Sequence, residues 1–355
     1  MLLTIDTFLL IEKLILIVAV VSVALVIAMY STWAERKVAA VMQDRRGPNR
    51  AGPFGLLQPM ADAVKLFSKE EIIPLKSNKV LFVMGPALAM LAALMTSAVI
   101  PWGSYLEING KIVDLQIADV NIAMLYIFAV VALGVYGVMI GGWASNNKFS
   151  LISALRGASQ NISYELAMGL SIVALVMVTQ SLSLREIVAQ QQDHLWNVVR
   201  QPLGFFIFLV CAFAECNRTP FDLPEAENEL NFGYHQEYSS MKLGFYLFSE
   251  YINMFISSII MATLFFGGYD IPFINEATST WAHNHANLMA LFGFLSLMGK
   301  AVFFIFLFMW VRWTIPRFRY DQLMNLGWKS LIPLALVNML VTAVFILLNQ
   351  THHWI

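Results

Sequence analysis

The residues of this chain best suited to chemistry are carboxylates gathered between residues 214 and 230, in the stretch AECNRTPFDLPEAENEL. Its acidic members are Glu215, Asp222, Glu225, Glu227 and Glu229, and its basic member is Arg218. The stretch begins where the apolar run LGFFIFLVCAFA ends. Carboxylates exchange protons near neutral pH when burial and neighbouring charges shift their pKa values. Their position therefore indicates proton transfer or charge compensation beside an apolar environment.

The composition is that of an integral membrane protein. Of the 355 residues, 59% are hydrophobic and 13% are charged, and the mean hydropathy is +0.67, whereas soluble domains are about one quarter charged. A net charge of −1 gives no electrostatic basis for binding nucleic acid. The two cysteines, Cys211 and Cys216, lack a second pair to complete a metal or cluster site. They are predicted to pack as small apolar residues.

Eight apolar runs predict membrane-spanning helices, because about 20 apolar residues cross the roughly 30 Å of hydrocarbon. They cover residues 14–33, 80–101, 119–142, 160–181, 201–218, 241–266, 287–311 and 331–349. The fifth run is the least regular, because Arg200 and Pro202 bound one end and Glu215 lies near the other. Runs of this length exclude barrel strands. The predicted fold is an all-α integral membrane protein, with one polytopic domain over residues 1–355.

Lysine and arginine in the connecting segments predict the orientation, because basic loops stay on the cytoplasmic side. Segment 34–79 holds nine of these residues and segment 267–286 holds none. Both termini are therefore predicted on the outer side, with segment 34–79 and the acidic segment 215–240 on the cytoplasmic side. His283 and His285 then lie in an outer loop, for which solvation is favoured over metal binding.

Topology and a helical rise of 1.5 Å per residue give the depth of the intramembrane charges. Glu215 follows Arg200 by fifteen residues, or about 22 Å, which places it inside the bilayer. The same reasoning places Glu250 about 12 Å and Glu165 about 8 Å below the cytoplasmic surface, and Lys300 near the midplane. Such residues face a bundle interior or a wet cavity. We therefore expect three glutamates from three helices to converge on the cytoplasmic half of the bilayer.

Structural roles for these acids stay open at this point. Each intramembrane glutamate could be neutral and bond a neighbouring helix. Glu225 and Glu227 could also occupy the first turn of a short helix beginning at Pro224, where carboxylates favour the positive end of the helix dipole.

Segment 35–74 contains a predicted surface helix at residues 55–69. Its apolar face consists of Leu56, Met60, Val64 and Phe67. This spacing is typical of a helix lying in the headgroup plane. A membrane anchor with cytoplasmic positive charges would explain the basic residues of the segment. It would not explain the acidic residues Glu35, Asp62 and Glu70 among them.

Motifs along nearly the whole chain resemble the family of H-type membrane subunits of bacterial NADH–quinone oxidoreductase (respiratory complex I), equivalent to mitochondrial NADH dehydrogenase chain 1. They are ERKVAAVMQDRRGPNRAGPFGLLQPMADAVKLF, ISYE (162–165), AECNRTPFDLPEAENEL followed by EYSSMK (237–242), and WVRWTIPRFRYDQLM (310–324). The chain departs from the family pattern at Cys216, at Thr219 and in a longer segment 267–289. None of these departures changes an acidic position.

The resemblance implies a membrane subunit that forms a quinone chamber and couples quinone reduction to proton translocation. The implied proton-coupling residues are Glu165, Glu215, Asp222, Glu225, Glu227 and Glu250. The implied quinone-chamber residues are Arg36, Asp62, Lys65, Phe67, Arg218 and Arg312. Quinone would be a substrate, no cofactor would be covalently bound, and FMN and iron–sulfur clusters would lie in partner subunits. The implied partners are peripheral-arm quinone-site subunits, small membrane subunits, antiporter-like subunits and the lipid of the bacterial inner membrane.

Three other functions remain open from the sequence. The chain could be a homologous subunit of a hydrogenase-type ion-pumping complex, a stand-alone proton or cation transporter, or a purely structural anchor. The lack of an inverted repeat in the sequence weighs against the transporter. No metal site is predicted.

Overall fold

A computed structural model describes residues 7–108, 110–193, 195–225, 227–272 and 285–352. Within these ranges, seven helices are long and apolar enough to cross a membrane. The predicted all-α membrane fold is confirmed. The helices are α1 (Thr7–Met42), α2 (Gln58–Ser68), α3 (Lys79–Thr96), α4 (Ala123–Ala144), α5 (Lys148–Thr179), α6 (Leu184–Asp193), α7 (Asn197–Arg200), α8 (Pro202–Glu215), α9 (Glu227–Leu230), α10 (Ser240–Phe265), α11 (Ala286–Thr314), α12 (Tyr320–Asn325) and α13 (Ile332–His352).

The first helix is longer than a bilayer is thick. α1 has 36 residues and extends about 54 Å, against roughly 30 Å of hydrocarbon. Its central part is apolar, whereas its last turns contain Glu35, Arg36 and Lys37. α1 therefore carries charged residues beyond the hydrocarbon at one end of the bundle.

The fifth predicted span forms a short helix. α8 has 14 residues and extends about 21 Å, which is less than the thickness of the hydrocarbon. Pro202 occupies the start of α8, where its missing N–H costs no hydrogen bond. The helix ends at Glu215, and Asn217 shortly after it has a left-handed backbone with φ of 49°. The chain therefore leaves the helix before Arg218, three residues earlier than the predicted boundary.

Charged connecting segments meet at one end of the bundle. The contacts there are Lys242 with Glu71, Arg156 with Glu229, and the amide of Phe318 with the carbonyl of Pro220. The basic segments 34–79, 143–159 and 311–330 therefore share this end with the acidic segment 215–240.

The opposite end contains a β-hairpin that the sequence analysis did not predict. Strands β1 (Tyr105–Ile108) and β2 (Lys111–Asp114) pair antiparallel, with Tyr105 opposite Asp114. Arg185, in α6, donates a hydrogen bond of 2.8 Å to Asp114, and this bond lowers the pKa of the Asp114 carboxyl group. The hairpin is thereby attached to the helical bundle.

The surface helix predicted over 55–69 is observed as α2, preceded by a 3-10 turn at Pro53–Gly55. Met60, Val64 and Phe67 are exposed, as expected for a face that rests on lipid. On the other face, the Asp62 carboxylate lies 2.8 Å from Nη1 of Arg36 in α1. Ser240, at the start of α10, donates a 3.0 Å hydrogen bond to the Leu66 carbonyl. Two membrane helices therefore hold α2 in place.

Close backbone approach joins α3 to α4. A Cβ atom added to Gly137 would lie 2.7 Å from the Ala89 nitrogen and 2.9 Å from the Gly85 carbonyl oxygen. Small residues at such a crossing allow helices in a membrane to pack tightly. Tyr246 of α10 donates a 3.1 Å hydrogen bond to the carbonyl of Gly137. This packing supports the half of α10 that contains Glu250.

Candidate functional site

A groove of about 440 Å³ lies between α1, α2 and α10, at the charged end of the bundle. Three predicted chamber residues line it, Arg36, Asp62 and Lys65, together with apolar side chains that include Leu247 and Phe248. The groove therefore offers charged groups beside an apolar wall. Phe67, also a predicted chamber residue, is 70% exposed and is not among the lining residues.

A buried ion-pair network closes the inner side of the groove at Glu35. Nη1 of Arg312 lies 2.7 Å from Glu35 Oε1, and Nη1 of Arg218 donates a 3.1 Å hydrogen bond to Glu35 Oε2. The Tyr251 hydroxyl donates a second hydrogen bond, of 2.9 Å, to Oε2. Arg218 also lies over the Tyr251 ring, 4.2 Å from its centroid. The two predicted arginines are thus brought together by one carboxylate.

A second cluster lies deeper, around Glu250 of α10. Glu250 is 7% exposed, and its Oε1 accepts a 2.9 Å hydrogen bond from the Tyr234 hydroxyl. One carboxyl oxygen each of Glu225 and Glu250 and one ring nitrogen of His235 lie within 4.8 Å of one another. Burial lowers the pKa of His235 to about 3, so its imidazole is neutral at pH 7.

Glu215 and Glu250 face the same internal cavity of about 40 Å³. Polar side chains line much of it, among them Asn161, Asn217 and Asn253. Such a volume has room for a small number of water molecules. Oε2 of Glu215 is buried and has no hydrogen-bond partner among the described residues. The cavity therefore joins the end of α8 to the middle of α10 through polar groups.

The third predicted intramembrane acid, Glu165 in α5, is partly buried and interacts electrostatically with Glu215. It does not line the cavity that Glu215 and Glu250 share. Lys300, in contrast, donates hydrogen bonds of 2.8 and 2.7 Å to the carbonyls of Gly268 and Asp270. These carbonyls follow the far end of α10, so Lys300 belongs to a different region of the bundle.

The remaining acids of segment 215–230 have separate surroundings. Glu229 is half exposed and forms a 2.6 Å ion pair with Arg156, which lowers the pKa of its carboxyl group. Asp222 is partly buried, and its backbone carbonyl accepts a 2.6 Å hydrogen bond from Arg317. Glu227 begins α9, and its side chain lies outside the described residues. Pro224 and Glu225 therefore lie in a turn before α9, and not in the first turn of a helix that begins at Pro224. Glu225 faces Glu250.

Arg218 lies between the groove and the deeper cluster. It is 4% exposed and interacts electrostatically with Glu35, Glu225 and Glu250. A continuous series of ionisable groups thus leads from the groove through Glu35 and Arg218 to the cluster around Glu250. The cavity extends this series to Glu215.

Four residues of this arrangement were not predicted as site residues: Glu35, Tyr234, His235 and Tyr251. In the sequence, Glu35 stands out only as an acid among basic residues that a membrane anchor does not explain. The two tyrosines lie in or near a predicted span and have no local signal for function. His235 follows the acidic stretch by five residues, and that proximity was the only available signal for it.

The chain is similar over most of its length to proteins of one family. A model of the family described as NADH dehydrogenase matches residues 14–343. An H-type subunit of NADH-quinone oxidoreductase from Cytophaga hutchinsonii is 66% identical over 339 residues, covering 96% of this chain and 98% of that protein. The H-type subunit from Flavobacterium psychrophilum is 63% identical, covering 97% of this chain and 99% of that protein. The H-type subunit from Geobacter metallireducens is 48% identical, covering 92% of this chain and 94% of that protein.

Proposed function

Because this chain belongs to the NADH dehydrogenase family, as an H-type membrane subunit of NADH-quinone oxidoreductase (respiratory complex I), we propose that it forms a quinone chamber and couples quinone reduction to proton translocation. The single observation that carries the proposal is the series of ionisable groups from the groove through Glu35 and Arg218 to Glu250 and Glu215.

The groove between α1, α2 and α10 has the properties of a quinone entrance. A quinone combines a polar headgroup with an apolar tail, and the groove combines Arg36, Asp62 and Lys65 with an apolar wall. Its volume of about 440 Å³ lies in the usual range for a small-molecule site. The exposed apolar face of α2 sets the groove at the lipid surface, from which a quinone arrives.

The two electrons that reduce a quinone add negative charge to its headgroup next to Glu35, and this charge persists until two protons follow and form the neutral quinol. One added charge at about 5 Å, with an effective dielectric near 20, changes the energy of a neighbouring ionised group by about 3 kcal/mol. Two pH units correspond to about 2.7 kcal/mol, so such a change alters protonation near neutral pH. The carboxyl groups of Glu225, Glu250, Glu215 and Glu165 pass this change into the membrane.

The proposed orientation places the charged end of the bundle at the cytoplasm and both termini outside. Segments 34–79 and 215–240 then face the peripheral-arm subunits, which hold the FMN and iron–sulfur clusters that supply electrons. The lateral surface of the bundle faces the small and antiporter-like membrane subunits, which move the protons. This chain contributes binding and proton transfer, and no redox centre.

The chain could also work in a hydrogenase-type ion-pumping complex. The series of ionisable groups would serve such a complex equally well, whereas the names of the relatives favour NADH as the electron donor. Purification of the intact complex and identification of its subunits distinguishes the two, because only the NADH-driven complex contains NADH-binding and flavin subunits. A stand-alone transporter would instead purify as an active chain without partners.

Substitution of Glu215 by Gln tests the proposal directly. Glu215→Gln keeps the size of the side chain but removes its proton exchange, so NADH-to-quinone turnover and proton pumping are expected to fall about tenfold or more. Glu229→Gln is the matched control, since Glu229 lies in the same acidic stretch, is half exposed and pairs with Arg156. Both variants are assembled into the complex and assayed in membrane vesicles. Normal coupled turnover in assembled Glu215→Gln would refute the proposed role.

A further inference from the structure

We propose that Glu225, His235 and Glu250 form a binding site for a divalent transition cation of the zinc class. The three residues lie in one buried cluster in which an oxygen of each carboxyl group and a ring nitrogen of His235 are all within 4.8 Å of one another. Two carboxylates and an imidazole form one of the ligand sets with which proteins hold zinc. Together with a divalent cation, they make a site without net charge, which suits a buried position.

The environment of His235 provides independent support. His235 is 1% exposed, and neither of its ring nitrogens has a hydrogen-bond partner among the described residues. A buried polar group without a partner costs free energy, and buried polar atoms are rarely left in this condition. Nε2 of His235 lies 3.8 Å from Oε1 of Glu250, too far for a hydrogen bond. The imidazole is therefore aimed at the carboxylates without being satisfied by them.

The distances are compatible with a metal ion after small side-chain movements. Zinc bonds of about 2.0–2.1 Å in tetrahedral geometry place ligand atoms about 3.3 Å apart. The present separations of up to 4.8 Å require shifts of at most about 1.5 Å. Glu250 also lines the internal cavity shared with Glu215. The cavity, which Glu225 and His235 do not line, has room for water beside Glu250.

The ligand types also indicate the class of metal. Neutral imidazole is the form that binds metals. The imidazole nitrogen favours zinc-class ions over Ca²⁺ and Mg²⁺, which prefer oxygen ligands.

Arg218 interacts electrostatically with Glu225 and Glu250 but makes no close ion pair with either. Its nearest charged partner is Glu35, at 3.1 Å, and Glu35 also binds Arg312. Among the described residues, no lysine or arginine lies within ion-pair distance of Glu225 or Glu250. The two carboxyl groups hydrogen-bond each other, so a cation between them would replace that shared proton and would displace no ion pair with lysine or arginine.

Occupancy of the site has a consequence that rests on the proposed function. A bound cation holds Glu225 and Glu250 in their ionised forms and blocks the exchange of protons through them. Zinc binding is therefore expected to slow quinone reduction and pumping together, without contact with the quinone itself.

The test measures zinc on the intact, metal-stripped complex before it measures activity. Wild type and His235→Gln are incubated with Zn²⁺ alone, freed of unbound metal by gel filtration, and analysed by mass spectrometry of the metal. Density maps of both complexes, with and without Zn²⁺, locate the ion. We expect one zinc between Glu225, His235 and Glu250 in the wild type, and an affinity lower by about tenfold or more in the variant. Equal zinc content and affinity in both, or no density between the three side chains, overturns the site.

Two further measurements keep binding separate from coupling. His285→Gln removes an exposed histidine that directly precedes α11 and lies outside the cluster. Zinc between Glu225, His235 and Glu250 is expected to persist in this variant. Loss of that zinc in His285→Gln would contradict the assignment of the ligands.

Turnover with and without Zn²⁺ is then compared within each variant. Zinc that is located at the site but leaves turnover unchanged supports the metal site and contradicts the proposed proton role of Glu225 and Glu250.

Discussion

At the scale of single residues, Glu35 unites groups that are far apart in the chain. Arg218 is 183 positions away and Tyr251 is 216 positions away, yet both donate hydrogen bonds to the same carboxylate oxygen. Arg312 occupies the other oxygen. A buried carboxylate with two arginines and a hydroxyl group is well satisfied, and the arginines in turn depend on it.

Glu35→Ala is expected to destabilise the protein strongly. Removing one partner of a buried ion pair leaves an uncompensated charge, in this case on the 4% exposed Arg218, and costs about 3–5 kcal/mol. The free energy of unfolding of the purified full-length chain in detergent measures the loss.

Glu71→Ala is the matched control, because it removes a half-exposed carboxylate that pairs with a single cation, Lys242. Its cost is expected to be about 1 kcal/mol or less. Equal losses of unfolding free energy in the two variants would show that the Glu35 network contributes no more to stability than a single partly exposed ion pair.

A helical rise and a topology suffice to predict that Glu215 and Glu250 lie near each other. They do not predict the partners of Glu35. Those partners depend on the way α1 packs against α10 and on the path of the chain after α8, and neither is encoded in local spacing. His235 was missed for the same reason.

At the scale of elements, α2 is attached to the bundle by few polar contacts. Asp62 binds Arg36 of α1 and lies 3.4 Å from Lys65 of its own helix. The opposite, apolar face has no partner among the described residues. Ser240 of α10 bonds the Leu66 carbonyl of α2, so Asp62 fixes the position of α2 relative to α1, and with it one side of the groove.

Asp62→Asn is expected to raise the KM for quinone about two- to fivefold with little change in kcat. The ion pair with Arg36 is partly exposed and contributes about 0.4–1 kcal/mol, and this loss affects binding more than the chemical step. Steady-state kinetics with a soluble quinone in membrane vesicles measures both constants.

Glu70→Gln serves as control for this prediction, because Glu70 is exposed just after the end of α2. Its KM is expected to match that of the wild type. A fall in kcat with unchanged KM in Asp62→Asn would contradict a role of α2 in admitting quinone.

The elements differ in how far the sequence could predict them. The 3.6-residue period of Leu56, Met60, Val64 and Phe67 was enough to predict α2 to within three residues at its start and one at its end. The π-helical turn at Leu326–Leu331 carries no such period. Trp328 in this turn donates a 2.9 Å hydrogen bond to Ser163 of α5, so a contact across 165 positions accompanies the local irregularity.

At the scale of the whole molecule, charge is distributed unequally between the two ends of the bundle, and the proposed orientation puts the charged end at the cytoplasm. The charged end holds the groove and the acidic cluster. The opposite end holds the hairpin and the carbonyls that bind Lys300.

Labelling of introduced cysteines is expected to report this orientation. Cys211 and Cys216 are buried, so the native background is low. Lys111→Cys, in the hairpin, is expected to react with a membrane-impermeant maleimide added to intact cells. Gln43→Cys, just after α1, is expected to react only in inverted vesicles. The reverse pattern would invert the proposed topology and place the groove outside.

The whole-chain architecture was the easiest feature to predict, since hydrophobic runs of membrane length leave few alternatives to a helical bundle. The short helix α8 has a consequence for the way this bundle is made. With only 14 residues, and with Arg200 and Glu215 at its borders, the segment is a poor substrate for the machinery that releases helices one by one into lipid. α8 stays in the membrane only when earlier helices are already there for it to pack against, and α5 is the main one of these. Insertion of this protein into the membrane is therefore a collective event, in which the short helix α8 enters the bilayer together with its neighbours.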